Sequence, residues 1–157
     1  MRDNIEELPW SCPDTFGKEN TDHSGSCPSE LIQWPLKLTK VSPVSPYFHK
    51  AHLLIAADCS AFSYTDFHQG LLRQRVLMIG CPDIEDSKLL DGFRQIITLN
   101  DILSIRVVRT DAPCCQKWIQ DMINIVKNSG KQIPMQITTV FTSGEDVGTE
   151  ELESSPQ

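Results

Sequence analysis

No run of apolar residues in this 157-residue chain approaches the roughly 20 that a membrane span needs. The first residues, with Asp3, Glu6 and Glu7, lack the basic start and apolar centre of a signal peptide, so a cytoplasmic protein without a membrane partner is expected. Basic residues are scarce: 14 Lys and Arg face 21 Asp and Glu, for a net charge of −7. They form no cluster, which argues against a nucleic-acid or anionic-lipid surface. Neither the G-x-G-x-x-G nor the Walker pattern occurs, so Gly80-Cys81-Pro82 is not a phosphate loop and a nucleotide site is not expected. Cys-x-x-Cys is missing too, unlike compact zinc ribbons and ferredoxin cluster loops. Any metal site must therefore be assembled from distant loops. The only internal recurrence is a strand-like run followed by cysteine.

That recurrence dominates the middle of the chain. Leu53-Leu54-Ile55-Ala56-Ala57, Val76-Leu77-Met78-Ile79-Gly80 and Ile105-Arg106-Val107-Val108 are each followed within a few residues by cysteine: Cys59, Cys81, then Cys114 and Cys115. Short apolar runs separated by helical lengths of chain read as parallel strands covered on both faces. Ligands of such sheets collect at the carboxyl ends of the strands, where all four thiols fall. The 39% apolar content suits one soluble globular domain with a real core.

In chain order, residues 1–30 are an irregular lead-in, rich in Pro and Gly and without a period of two or 3.6. It holds Cys12 and Cys27, which are either ligands on an arm that folds over a site or free thiols in a mobile tail. Residues 36–41 alternate apolar and polar side chains after Pro35, as in an outer strand. A short helix is expected over 63–72, capped by Ser63, with Phe67 and Leu71 on one face and Gly70 weakening its end. Pro82 and the acidic residues after it open a longer helix whose core face is Leu89, Leu90, Phe93, Ile96 and Ile97. The helix after Cys115 buries Trp118, Ile119, Met122, Ile123 and Val126 and stops at Gly130. Residues 136–141 read as a last strand, and 144–157 as a disordered acidic tail. The expected fold is one three-layer α/β sandwich over 31–143, with about five mostly parallel strands.

A single buried cysteine is usually a small hydrophobe; four at three strand ends point to a shared site. Cys114 and Cys115 are expected on the first turn of a helix, where free N–H groups and the helix dipole favour thiolate. Soft sulfur ligands select zinc, copper(I) or iron–sulfur clusters. His68, with Asp66, either orients or ligates at the same site or is a satisfied structural histidine. His49 and His52 read as surface or packing residues. A Cys-His hydrolase built from Cys59 or Cys81 and His68 leaves the paired cysteines without a role.

The motifs Gln33-Trp34-Pro35-Leu36-Lys37-Leu38, Leu54-Ile55-Ala56-Ala57-Asp58-Cys59 with Phe67-His68, Gly80-Cys81-Pro82 with Asp86, and Ala112-Pro113-Cys114-Cys115 resemble the C-terminal domain of 4Fe-4S ferredoxin-type proteins of anaerobic microbes. The resemblance runs from about Cys12 to Phe141, and Cys12-Pro13-Asp14 looks like that family's Cys-Pro-Gly with the glycine replaced. Two features differ: the usual N-terminal ferredoxin module is missing, and Gln116-Lys117-Trp118 follows the paired cysteines where the family tends to have glycines. The resemblance implies iron–sulfur redox chemistry and a ferredoxin or other redox partner. The expected ligands are Cys12, Cys59, Cys81, Cys114 and Cys115, holding an iron–sulfur cluster or another thiophilic metal such as zinc. The alternative is a metal-free thiol/disulfide module or cysteine-dependent enzyme. No catalytic residue is assigned.

Overall fold

A computed structural model of the protein describes residues 29–143 and 148–152. Five strands form one sheet in the order β2-β1-β3-β4-β5: β1 His52–Ala57, β2 Val76–Gly80, β3 Ser104–Thr110, β4 Met135–Val140 and β5 Gly148–Leu152. Strands β1 to β4 are parallel, and β5 runs antiparallel to β4. The register sets Ala57 beside Gly80 and Ala56 beside Val108, so β2, β1 and β3 end nearly level. The three helices are α1 Ser60–Ser63, α2 Pro82–Leu99 and α3 Lys117–Asn128.

The apolar runs are strands for the physical reason their composition implies. Five consecutive residues of β1 are buried, because it lies between two strands and is covered on both faces. Leu53, Ile55 and Ala57 pack with Leu89, Phe93, Ile96 and Ile97 of α2 and with Trp118 and Met122 of α3. Leu54 and Ala56 face the other way, against Phe67, Leu71 and Leu72 of a π-helical turn, with Leu31 and Leu36 from the chain before β1. These are the three expected layers, α2 and α3 on one face and a thinner cover on the other. Among the described residues, no helix is long and apolar enough to cross a membrane.

Three local expectations are corrected. Residues 36–41 do not form a strand: Lys37 alone bridges to Ile79 beyond β2, and the chain then turns, with Lys40 and Val41 donating to the Lys37 carbonyl. The alternating pattern is satisfied because Leu38 is buried against α2 while its neighbours Lys37 and Thr39 are half-buried and turn to Asp58 and Glu85. The helix expected over 63–72 is broken at Tyr64, which is extended (φ −120°, ψ 111°), and separates α1 from the π-helical turn Phe67–Leu72. The acidic tail is not wholly disordered, since β5 lies within it. Its pairing with β4 supplies backbone partners that an exposed strand edge lacks, and Leu152 packs against the core. Residues 1–28, with Cys12 and Cys27, lie outside the described residues.

Candidate functional site

The strand order puts the four described cysteines after three adjacent strands. The chain steps from β1 outward to β2, then crosses back over β1 to β3, so the connections leave β1 and β3 in opposite directions. In an open parallel sheet the carboxyl ends at such a reversal frame a crevice. Cys59 follows β1 on one side of it and the Cys114-Cys115 pair follows β3 on the other, while Cys81 follows β2 next door. The Lys37 bridge lies outside β2, so nothing intervenes between the three strands that carry thiols.

Each thiol is seated differently. Cys59 and Cys114 are exposed, Cys81 is half-buried and Cys115 is buried. All four are free thiols. Cys115 packs into the core beneath α3, and its sulfur accepts a hydrogen bond at 3.2 Å from the hydroxyl of Thr110, itself a buried residue at the end of β3. Cys81 is the N-cap of α2, and the Glu85 carboxylate closes the cap by accepting the Cys81 N–H at 2.9 Å. Pro82 at the first helical position gives up no needed donor there. Gly80 allows the close approach of strand and helix: a Cβ on it would lie 2.3 Å from Leu89 Cδ1 and 2.9 Å from Glu85 Oε2.

The electrostatics correct the expectation of ready thiolates. Cys114 and Cys115 sit on the 3-10 turn Pro113–Cys115 that precedes α3, not on the first turn of the helix, and too few aligned peptides surround them to favour negative charge. Burial, then the neighbouring Cys115 and Cys81, push the Cys59 thiol above its ordinary pKa, against an opposing pull from the Thr110 hydrogen bond. Burial, the charge of Cys115 and a hydrogen bond with it, and then Asp83 and Cys81, do the same at Cys114. Among the described residues, no group of three or more His, Cys, Asp or Glu side chains is arranged to hold a metal ion as it stands.

Sequence reasoning passed over the polar frame beside the thiols. Lys37 forms an ion pair with Asp58 and lies 3.6 Å from Glu85, whose other partners are the Thr39 hydroxyl and the Cys81 N–H. Burial works against the Lys37 charge, but Asp58 and Glu85 outweigh it and raise its pKa. The signal was present, since Asp58 directly precedes Cys59 and Glu85 lies one helical turn after Cys81; only the bridge that brings Lys37 to them was invisible. Asp58 Oδ1 is buried without a hydrogen-bond partner. Two exposed apolar side chains rim the same edge, Phe62 three residues after Cys59 (92% exposed) and Ile84 three after Cys81 (81% exposed). His68, by contrast, accepts the Glu30 N–H at 3.2 Å and packs edge-on to Phe67, the structural role of the two considered for it. His52 contacts Ser104 at the opposite end of the sheet.

Comparison with known proteins agrees with this architecture. An uncharacterized protein from the archaeon Archaeoglobus fulgidus is 28% identical over 116 residues, covering 73% of this chain and 81% of its own. No solved structure matches. Residues 45–156 match the family described as Rossmann-like domain, and the chain belongs to that family.

Proposed function

We propose that the carboxyl edge of the sheet is a cysteine site that binds an iron–sulfur cluster or another thiophilic metal, in a cytoplasmic protein that works with a ferredoxin or other redox protein. The observation that carries this reading is that Cys59, Cys81 and the Cys114-Cys115 pair each follow one of three neighbouring strands, at the reversal of strand order. The donor set fits such a group in kind, because sulfur ligands select soft metals and clusters. Cys59, Cys81 and one or both of Cys114 and Cys115 would hold it, with Cys12 as a further ligand in keeping with the ferredoxin-type resemblance. Cys59 and Cys114 are exposed, whereas Cys115 is buried and held by Thr110. When bound, a cluster supplies one-electron transfer.

The chain's own residues prepare the edge for that role. Raised pKa values at Cys59 and Cys114 keep these thiols protonated at neutral pH, so metal binding releases protons and tightens as pH rises. Lys37 offsets part of the negative charge of Asp58 and Glu85 beside what becomes an anionic thiolate site. Phe62 and Ile84 give a partner protein apolar contacts at the rim.

A second reading, a metal-free thiol/disulfide module, is favoured by the same raised pKa values, since protonated thiols are the resting state of a dithiol awaiting an oxidant. Anaerobic purification followed by metal and acid-labile sulfide analysis separates the two. Iron with sulfide, or stoichiometric zinc, supports metal binding; a metal-free protein whose thiols all titrate, and which takes up neither on reconstitution, supports the second reading.

A further inference from the structure

The other end of the sheet carries a separate feature. Where β3 and β4 begin and β5 ends, a cavity of about 510 Å³ opens, lined in part by Arg75, Ser104, Gln136 and Glu151. That volume lies within the few hundred to one thousand Å³ of small-molecule sites. Arg75 is half-buried and donates to Ser104 Oγ at 3.5 Å, and the same oxygen lies 2.7 Å from His52 Nδ1. Arg106, on β3, donates twice to Gln136 Oε1, at 3.0 and 2.7 Å, and Gln136 passes the contact on to Glu151 at 3.0 Å.

The charges here are not balanced locally. Arg73 and Arg94 on the surface pair with Glu30 and Asp91, but among the described residues neither Arg75 nor Arg106 has a carboxylate within ion-pair distance. Burial and then the like charge of Arg106 both work against the charge on Arg75. A guanidinium carries five N–H donors in a planar fork suited to carboxylate and phosphate. Arg75 uses one of them on a long hydrogen bond. The one carboxylate in the cavity wall, Glu151, is held at a remove by Gln136, and the three charged groups together leave an excess of positive charge.

We propose that this cavity binds a small organic oxyanion, a carboxylate or a phosphate, with Arg75 as its direct partner and Arg106 supplying the second positive charge. An oxyanion in the cavity fills Arg75 donors that the protein leaves unused and offsets its repulsion with Arg106, which stands outside the lining and holds Gln136 in the cavity wall. The site lies at the amino ends of the strands, away from the thiols, so it operates independently of any metal bound by the cysteines.

The test is calorimetric titration of the full chain at low ionic strength with inorganic phosphate and, separately, with succinate. One of the two is expected to bind saturably, and the tighter identifies the source of the oxyanion. Arg75→Gln should weaken that binding at least ten-fold and Arg106→Gln several-fold. Arg94→Gln, which changes an exposed arginine on α2, should leave it unchanged. Glu151→Gln, at an exposed position whose change is safe for folding, should tighten binding several-fold by removing the opposing charge. Failure of both anions to bind saturably overturns the proposal. So does unchanged or weaker binding in Glu151→Gln, or equal weakening in Arg94→Gln and Arg75→Gln.

Discussion

Replacing Gly80 with alanine tests how tightly the thiol edge is built. The added methyl would lie 2.3 Å from Leu89 Cδ1, a fully buried atom position, and 2.9 Å from Glu85 Oε2. Both are far inside ordinary contact, so Leu89 must leave its place in the core or α2 must move off β2. Overpacking of this kind costs about 1–3 kcal/mol. At roughly 2–4 °C per kcal/mol for a chain of this size, the melting temperature should fall by about 2–12 °C. Leu89→Ala alone removes a buried side chain and costs about 2–5 kcal/mol. In the double variant the new methyl meets the space that Leu89 vacated, so the two losses should be strongly sub-additive, by an interaction of about 0.5–3 kcal/mol. Thermal and urea unfolding of the four proteins measures this directly. Gly148→Ala serves as the control, because among the described residues nothing lies within 4 Å of its added methyl. Wild-type stability in Gly80→Ala, or simple additivity with Leu89→Ala, would refute the packing described here.

Further outcomes follow from other parts of the structure. Alkylation of Cys59 and Cys114 in metal-free protein should be slower at neutral pH than that of an unstructured cysteine peptide, and should accelerate as pH climbs beyond the ordinary thiol range; peptide-level mass spectrometry reads each rate. The folded state keeps these protons after the unfolded chain has released them, so urea unfolding should show stability falling as pH rises from the ordinary thiol pKa through the raised one. Lys37→Met should cost no more than about 1 kcal/mol, since its partners are partly solvated. Stopping the chain after Ser143 removes β5 and bares the edge of β4, so size-exclusion chromatography should show new self-association and the melting temperature should drop; an unchanged monomer would mean that β5 contributes nothing.

Much of the fold is legible in the sequence because β1 and β2 carry unbroken apolar runs, because β3 keeps Ile105, Val107 and Val108 buried between its arginines, and because α2 opens on Pro82 and repeats its apolar face through Ile97. What failed had weaker local signals. Leu38 is buried from a turn, and Leu36 and Val41 pack partly buried on either side of it, so the alternation at 36–41 marked inward side chains and not a strand. Strand β5 reads as a tail because Thr149, Glu150 and Glu151 are polar and exposed; its pairing is a property of the edge of β4, not of its own side chains. That the cysteines follow three strand ends was legible because each lies within five residues of the end of its apolar run's strand. Their protonation was not, because it depends on how burial and the mutual proximity of the sulfurs outweigh a short turn.

The claim that these cysteines form one site is tested most directly by titrating the reduced, metal-free protein anaerobically with Cd²⁺ and mapping, at one equivalent, which thiols are protected from alkylation. The expected result is joint protection of Cys59, Cys81 and at least one of Cys114 and Cys115, rising together and saturating at one metal per chain. Protection of any one of these alone, or of each at a different metal loading, would contradict a shared site.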